Sequence, residues 1–379
     1  MNYYILPKNN TEPDIFLSFS KKVDLIPYIS HSLIIYLNKA NDNFINICNS
    51  LNDNTEVELI NKMMNTYEFI FTNVPNSLLC VSKMKPESNL FYELMEIFMV
   101  CNIHDLFDSA NVIQTCHFSP HFNSSIYLLH IIREFQSDFN IGNNFEINEI
   151  NKFFKSSYSL FKFDFLFFEF KKTDYKNNKH YFKNILLALI IIIQNQNMNG
   201  ISIIKIDEII YKLIIDVLFI LSTLFENICI IKPQISNIKT NERFIVCKNF
   251  KIVYDSKNIT AKLDEIINLI DLENESTDNI IYSIISNPLS YYFINKIEES
   301  NIIIGQQQLD AYDQMINMIK NKNKHEKIET LKRNNIQKCI LWCEKYKIPH
   351  NKFIDKTNIF LNARIVKDID VMNENEKNI

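Results

Sequence analysis

An α/β architecture with a helical extension on each side is what this 379-residue sequence predicts, and three observations lead to it. From about Asn73 to Asp255, short apolar runs alternate with segments of helical length, the pattern of strands joined by crossover helices in a mostly parallel sheet. Before that stretch, apolar positions recur mainly at three- and four-residue steps. After about Ser256 the strand signal stops. The expected organisation is a helical region over 1–72, an α/β domain over 73–255 and a helical, basic region over 256–379.

The elements can be taken in order. "FSKKVDLIPYISHSLIIYLNKANDNFINICNSL" and "EVELINKMMNTYEFIF" supply the first helices. "PESNLFYELMEIFMVCN" opens on Pro86 and offers Ser88 as N-cap, so it reads as another. "ANVIQTCHF" reads as a strand, "SPHFNSS" as a turn and "IYLLHIIREF" as a helix. "KFDFLFFEF", from Lys162 to Phe170, is a continuous apolar and aromatic run, as expected of a strand buried on both faces. "HYFKNILLALIIIIQNQ" is helical, with Gly200 expected at its C-terminal turn before the strand "ISIIKI". The helix "DEIIYKLIIDVLFILSTLF" and the strands "NICIIKP" and "ERFIVCKNF" follow. Beyond them, "ITAKLDEIINLIDLENE" and "QQLDAYDQMINMIKNKNKHEKIETLKRNNIQKCILWCEKYK" are helical, the second broken once or twice and ending near Pro349. "DIDVMNENEKNI" reads as a polar tail.

Composition narrows the class. Hydrophobic content of 47% with 22% charged residues is that of a soluble globular protein, and the vocabulary, with only three glycines, is that of an AT-rich genome. "ILLALIIII" is too short to span a bilayer and "LIIDVLFILSTLF" is interrupted by Asp216, so no membrane segment is expected. "MNYYILPKNN" does not read as a signal peptide, which points away from secretion. The eight cysteines show no framework of spacings and read as reduced thiols. Cys339 and Cys343 share a helix face and read as core. In "CHFSPH", Cys116, His117 and His121 lack a second pair of ligands, so they read as ordinary loop residues and no metal is expected.

The charge is uneven. Between Met315 and Lys367 stand thirteen Lys/Arg and four Asp/Glu, a local +9 within a chain of net charge −4. Such a segment is either a footprint for RNA or an acidic protein partner, or a solvated helical face.

The candidate site follows from the sheet. Sites in open α/β sheets form outside the carboxyl ends of the strands. Lys205 ends "ISIIKI", Glu169 ends "FDFLFFE", and Glu242 precedes "RFIVCK". Taken singly, Lys205 reads as a strand-end lysine reaching to water, and the two glutamates as edge carboxylates. Together with the ending "IIKPQISNIKTNERFIVCKNF", they resemble the FtsJ/RrmJ-like family of RNA ribose 2′-O-methyltransferases, best over Phe163 to Phe250. The arrangement, including a helical extension after this ending, resembles most the FtsJ-like proteins of nucleocytoplasmic large DNA viruses, such as the African swine fever virus and mimivirus groups.

That resemblance implies a Rossmann-like methyltransferase sheet and a catalytic set of lysine, aspartate, lysine and glutamate. The second lysine falls on Lys205 and the glutamate on Glu242. The aspartate position holds Glu169. The first lysine lies in a helix that "SNLFYELMEI" resembles, and its position holds Glu93. Three acids around one lysine favour its charged form over the proton-accepting one. The family's glycine-rich cofactor turn falls on "SPHFNSS", where Ser119 and Pro120 are followed by His121 and Phe122 in place of glycines, and a Cβ there blocks close approach. Gly142, Gly200 and Gly305 are isolated and offer no substitute. Two expectations follow. One is a degenerate subunit, without a cofactor, that binds RNA or a protein partner in viral capping, transcription or the virion. The other is an active S-adenosylmethionine-dependent RNA (cap) 2′-O-methyltransferase with Lys205 assisting deprotonation. Either places the chain in the host cytoplasm or the virion.

Overall fold

Apolar residues on both faces of four neighbouring strands dictate a sheet buried between two helical layers, and the computed structural model has that form. It describes residues 2–20, 26–49, 54–104, 112–134, 138–143, 161–171, 178–251, 256–272, 280–321 and 324–353. The chain opens with strands β1 (Asn2–Leu6) and β2 (Ile15–Ser20), then helices α1 (His31–Asn49), α2 (Asn54–Met64) and α3 (Leu90–Val100). The middle is β3 (Gln114–Phe118), α4 (Phe122–Ile132), β4 (Phe139–Asn143), β5 (Phe163–Glu169), α5 (Asn178–Asn195), β6 (Gln196–Ile206), α6 (Lys212–Leu224), β7 (Phe225–Lys232) and β8 (Arg243–Phe250). It closes with α7 (Ser256–Leu272), β9 (Ile280–Ile285), α8 (Tyr291–Lys320) and α9 (Lys324–Lys345).

Seven strands form one sheet in the order β1, β7, β8, β6, β5, β3, β4. The pairs from β4 through β6 are parallel, whereas β8 runs antiparallel between β6 and β7, and β1 antiparallel to β7. Five strands therefore share one direction, and the expected mostly parallel sheet carries two reversed members. Side-chain alternation divides the core. Phe163, Leu166 and Phe168 of β5 face one apolar cluster with α5, α6 and α7, while Phe165 and Phe167 face the other with α2, α3, α4 and α9.

Several sequence expectations change. The stretch over 1–72 is not wholly helical: β1 extends the central sheet and β2 pairs with β9, which is itself a strand in the region read as helical. Both are short, and the single β9 run "IIYSII" lacks the polar alternation that marks a strand beside water. Ser88 does not cap α3. The cap position is Asn89, and Ser88 hydrogen-bonds Ser124 instead. Gly200 is not at a helix turn but inside β6, beyond a register shift against β5. The left-handed residue is its neighbour Asn199 (φ 61°), and a Cβ on Gly200 would come within 3.0 Å of the Asp164 carbonyl oxygen. His117 is not a loop residue. It is buried in β3 between Thr115 and Ser125, and burial lowers its pKa to about 3, so it is a neutral core imidazole. The long C-terminal helical pattern does break, between Lys320 and Lys324, and Cys339 and Cys343 are core. The polar tail lies outside the described residues, as does 354–367 of the basic segment. Among the described residues no helix is long and apolar enough to cross a membrane.

Candidate functional site

The two-residue period of a strand places Lys205 on the same face as Ile201 and Ile203, which is the face that α3 covers. Its strand neighbours in register are Glu169 on β5 and Phe244 on β8. The four sequence-distant residues singled out above meet here. Lys205 Nζ lies 3.0 Å from Glu93 Oε2, 3.3 Å from Glu169 Oε1 and 3.7 Å from Glu242 Oε2. It also stands 5.4 Å over the Phe244 ring. Burial by itself pulls the lysine's pKa down, but the three carboxylates, Glu93 foremost, outweigh it and hold Lys205 above the ordinary lysine range. The ammonium is fixed in its charged form.

The surrounding shell explains how three acids tolerate one another. Glu93 uses its second oxygen to accept from Ser236 Oγ at 2.7 Å. Glu169 accepts from Ser119 Oγ at 2.5 Å, and the same serine oxygen receives the His121 amide at 2.9 Å. Each innermost carboxylate thus has a hydroxyl as well as the ammonium to share its charge. Glu242, the outermost, keeps about a quarter of its side chain exposed.

The loop between β7 and β8 that delivers Ser236 and Glu242 is itself clamped. Glu96, one turn along α3, accepts the Gln234 and Ile235 amides, and Gln308 of α8 donates to the Lys239 and Thr240 carbonyls. Burial raises the pKa of Glu96 despite those amides. Sequence reasoning missed Glu96 and Gln308. The pair Glu93 and Glu96, three residues apart in the otherwise apolar "LFYELMEIFMV", was the available signal.

Strand order reverses between β3 and β5, since β4 follows β3 on one side and β5 lies on the other. This is the switch point where an α/β sheet opens its crevice. Ser119 and Glu169 sit on its two sides and close it with their hydrogen bond. Pro120 and His121 are exposed, whereas the Phe122 ring turns inward over β4. A Cβ built on Gly142 would lie 2.0 Å from that ring. Phe122 therefore fills the space above the sheet that a glycine turn would leave free. The expected site residues split into two groups: Glu93, Glu169, Lys205 and Glu242 form one cluster, joined to Ser119, while Pro120, His121 and Phe122 make no polar side-chain contact with it. No group of three or more His, Cys, Asp or Glu side chains among the described residues has the arrangement to hold a metal ion.

Comparison with protein-family models gives no match for this chain, and none of the curated proteins matches it.

Proposed function

We propose that this chain is a degenerate FtsJ-like, methyltransferase-fold protein of a large DNA virus, one that binds RNA or a protein partner in capping, transcription or the virion. The observation that carries the reading is the Lys205 cluster. A lysine that assists loss of a ribose hydroxyl proton must be able to become neutral, and Lys205 is held charged by Glu93, Glu169 and Glu242. Phe122 over Gly142 supports the same reading, because the residues at this turn do not fit a cofactor lying against bare backbone.

Isothermal calorimetry with S-adenosylmethionine tests it. No saturable heat is expected up to millimolar cofactor, and micromolar affinity would remove the main support. Methyl transfer from labelled cofactor to capped RNA, abolished by Lys205→Ala, would establish the active reading, in which Lys205 assists deprotonation and Glu242 orients it.

The RNA arm of the proposal rests on α9 and the residues after it, where Lys327, Arg333, Lys338, Lys345, Lys347 and Lys352 are all exposed. If these contact phosphates, affinity for single-stranded RNA should fall steeply with salt, with a log–log slope of about −0.7 per phosphate neutralised. Replacing Lys327, Lys338 and Lys345 together should flatten that slope. A salt-insensitive association would favour a protein partner.

A further inference from the structure

The site contains a second lysine. Lys232 ends β7, and its side chain is buried, with 8% of the residue exposed. Its amine donates to two backbone carbonyls, those of Thr240 and Glu242, the latter at 3.3 Å. A neutral amine has two N–H groups and one lone pair. Two carbonyl acceptors match the two N–H groups of that form, whereas an ammonium would carry a third donor.

The charged groups facing it reinforce this. Arg243 and Lys205 oppose a positive charge there, Glu242 and Glu93 favour one, and burial is the largest influence. The balance lowers the pKa of Lys232 to about 7. The same residue lines a cleft of about 420 Å³, whose other walls include Tyr67, Gln234, Ser236, Gln307 and Asp310. That volume is within the range of small-molecule sites. Apart from Asp310, which is exposed, the polar groups named are neutral hydrogen-bonding ones.

We infer that Lys232 is a nucleophilic amine at the floor of this cleft and that the site takes small, uncharged, hydroxyl-bearing aldehydes as covalent imine adducts. Nζ adds to the carbonyl carbon, forming the C–N bond, and one amine proton passes to the former carbonyl oxygen. That oxygen then leaves as water with the second amine proton, giving an imine. No oxidant or reductant is needed. The inference is independent of the proposed function, since the cleft lies on the loop side of the Lys205 cluster and uses none of its carboxylates as ligand groups.

Glyceraldehyde on the full chain, with cyanoborohydride added to trap the imine by hydride transfer, tests it by peptide mass mapping. At pH 7 an ordinary lysine is neutral in roughly one molecule in a few thousand. Lys232 is therefore expected to be labelled at least about tenfold faster than exposed lysines such as Lys345 at pH 7, and to lose that lead by pH 10 as the others deprotonate. Labelling in urea should erase the preference, and Lys232→Arg should remove the adduct. Even labelling of the surface lysines at pH 7, an unlabelled Lys232 peptide, or a lead that survives urea would each overturn the inference. The wild-type map decides the matter even where the arginine variant fails to fold.

Discussion

Lys205 and Lys232 end strands of the same sheet, both are buried, and their surroundings drive them in opposite directions. Burial disfavours the ammonium at each position. Lys205 meets three carboxylates and stays charged, while Lys232 meets two peptide carbonyls and has Arg243 nearby. A carbonyl oxygen accepts a hydrogen bond but carries no net charge to offset desolvation. Burial acts on both lysines, and what separates them is whether charged acceptors offset it.

The most disruptive way to break the contrast is to remove the Lys205 charge. Lys205→Met leaves Glu93, Glu169 and Glu242 facing one another with no cation among them. Removing one partner of a buried ion pair costs about 3–5 kcal/mol, and a loss of that size is expected as a lower urea midpoint with an unchanged slope. A loss below about 1 kcal/mol would mean that the carboxylates are solvated in the native protein. Glu93→Gln comes next, because Glu93 is the nearest and most buried acid, with 1% of its side chain exposed. A charged hydrogen bond of this kind is worth about 1.5–3 kcal/mol. Glutamine can still accept from Ser236, so the loss isolates the charge.

Lys232 is sharpened by pH. Its folded pKa, about 7, lies below the ordinary lysine value, so between the two the unfolded chain holds a proton that the folded chain lacks. Stability must then rise with pH across that window. The gain from pH 7 to 8.5 is about 1–2 kcal/mol. It is read as the difference between wild type and Lys232→Met, in which the buried thiols, whose pKa values burial raises, cancel. Lys205 behaves oppositely. Its raised pKa makes its contribution complete below the ordinary lysine value and lost only as pH climbs beyond it. An equal pH dependence in wild type and Lys232→Met would remove the distinction between the two lysines.

The sequence made one half of this contrast legible and hid the other. Lys205 could be found because a lone charge interrupts "GISIIKI", and Glu169 and Glu242 because strand ends converge in an α/β sheet. Glu93 entered through its helix. The largely apolar strands β5 to β8 were readable on their own, since a run buried on both faces needs no partner to identify it. Lys232 stood in plain view in "IIKPQISNIKTNERF", yet its lowered pKa comes first from burial and then from Arg243, with only uncharged carbonyls as hydrogen-bond acceptors, and none of this is marked in a sequence. The strands β1 and β9 were missed because their pairing partners, β7 and β2, lie more than 200 residues away. Phe122 was readable from the sequence as a bulky residue at the turn after β3. That its ring would lie on Gly142 was not expected, because the contact joins two elements, α4 and β4, across the sheet's end.

The smallest effect is the most discriminating for the Lys205 cluster itself. Three carboxylates and one ammonium leave the cluster with a net negative charge, so each acid is both attracted by the lysine and repelled by the other two. For Glu242 the attraction is weakest, since its contact is the longest at 3.7 Å and a quarter of its side chain reaches solvent. Glu242→Gln therefore removes repulsion and attraction of similar size, and its stability should stay within about 0.5 kcal/mol of wild type. Glu169→Gln should fall between this variant and Glu93→Gln, in keeping with its 3.3 Å contact and 14% exposure. If Glu242→Gln instead cost as much as Glu93→Gln, the outer carboxylate would be an equal partner of Lys205. The cluster would then hold its lysine by three like contacts rather than by one dominant pair with two weaker neighbours.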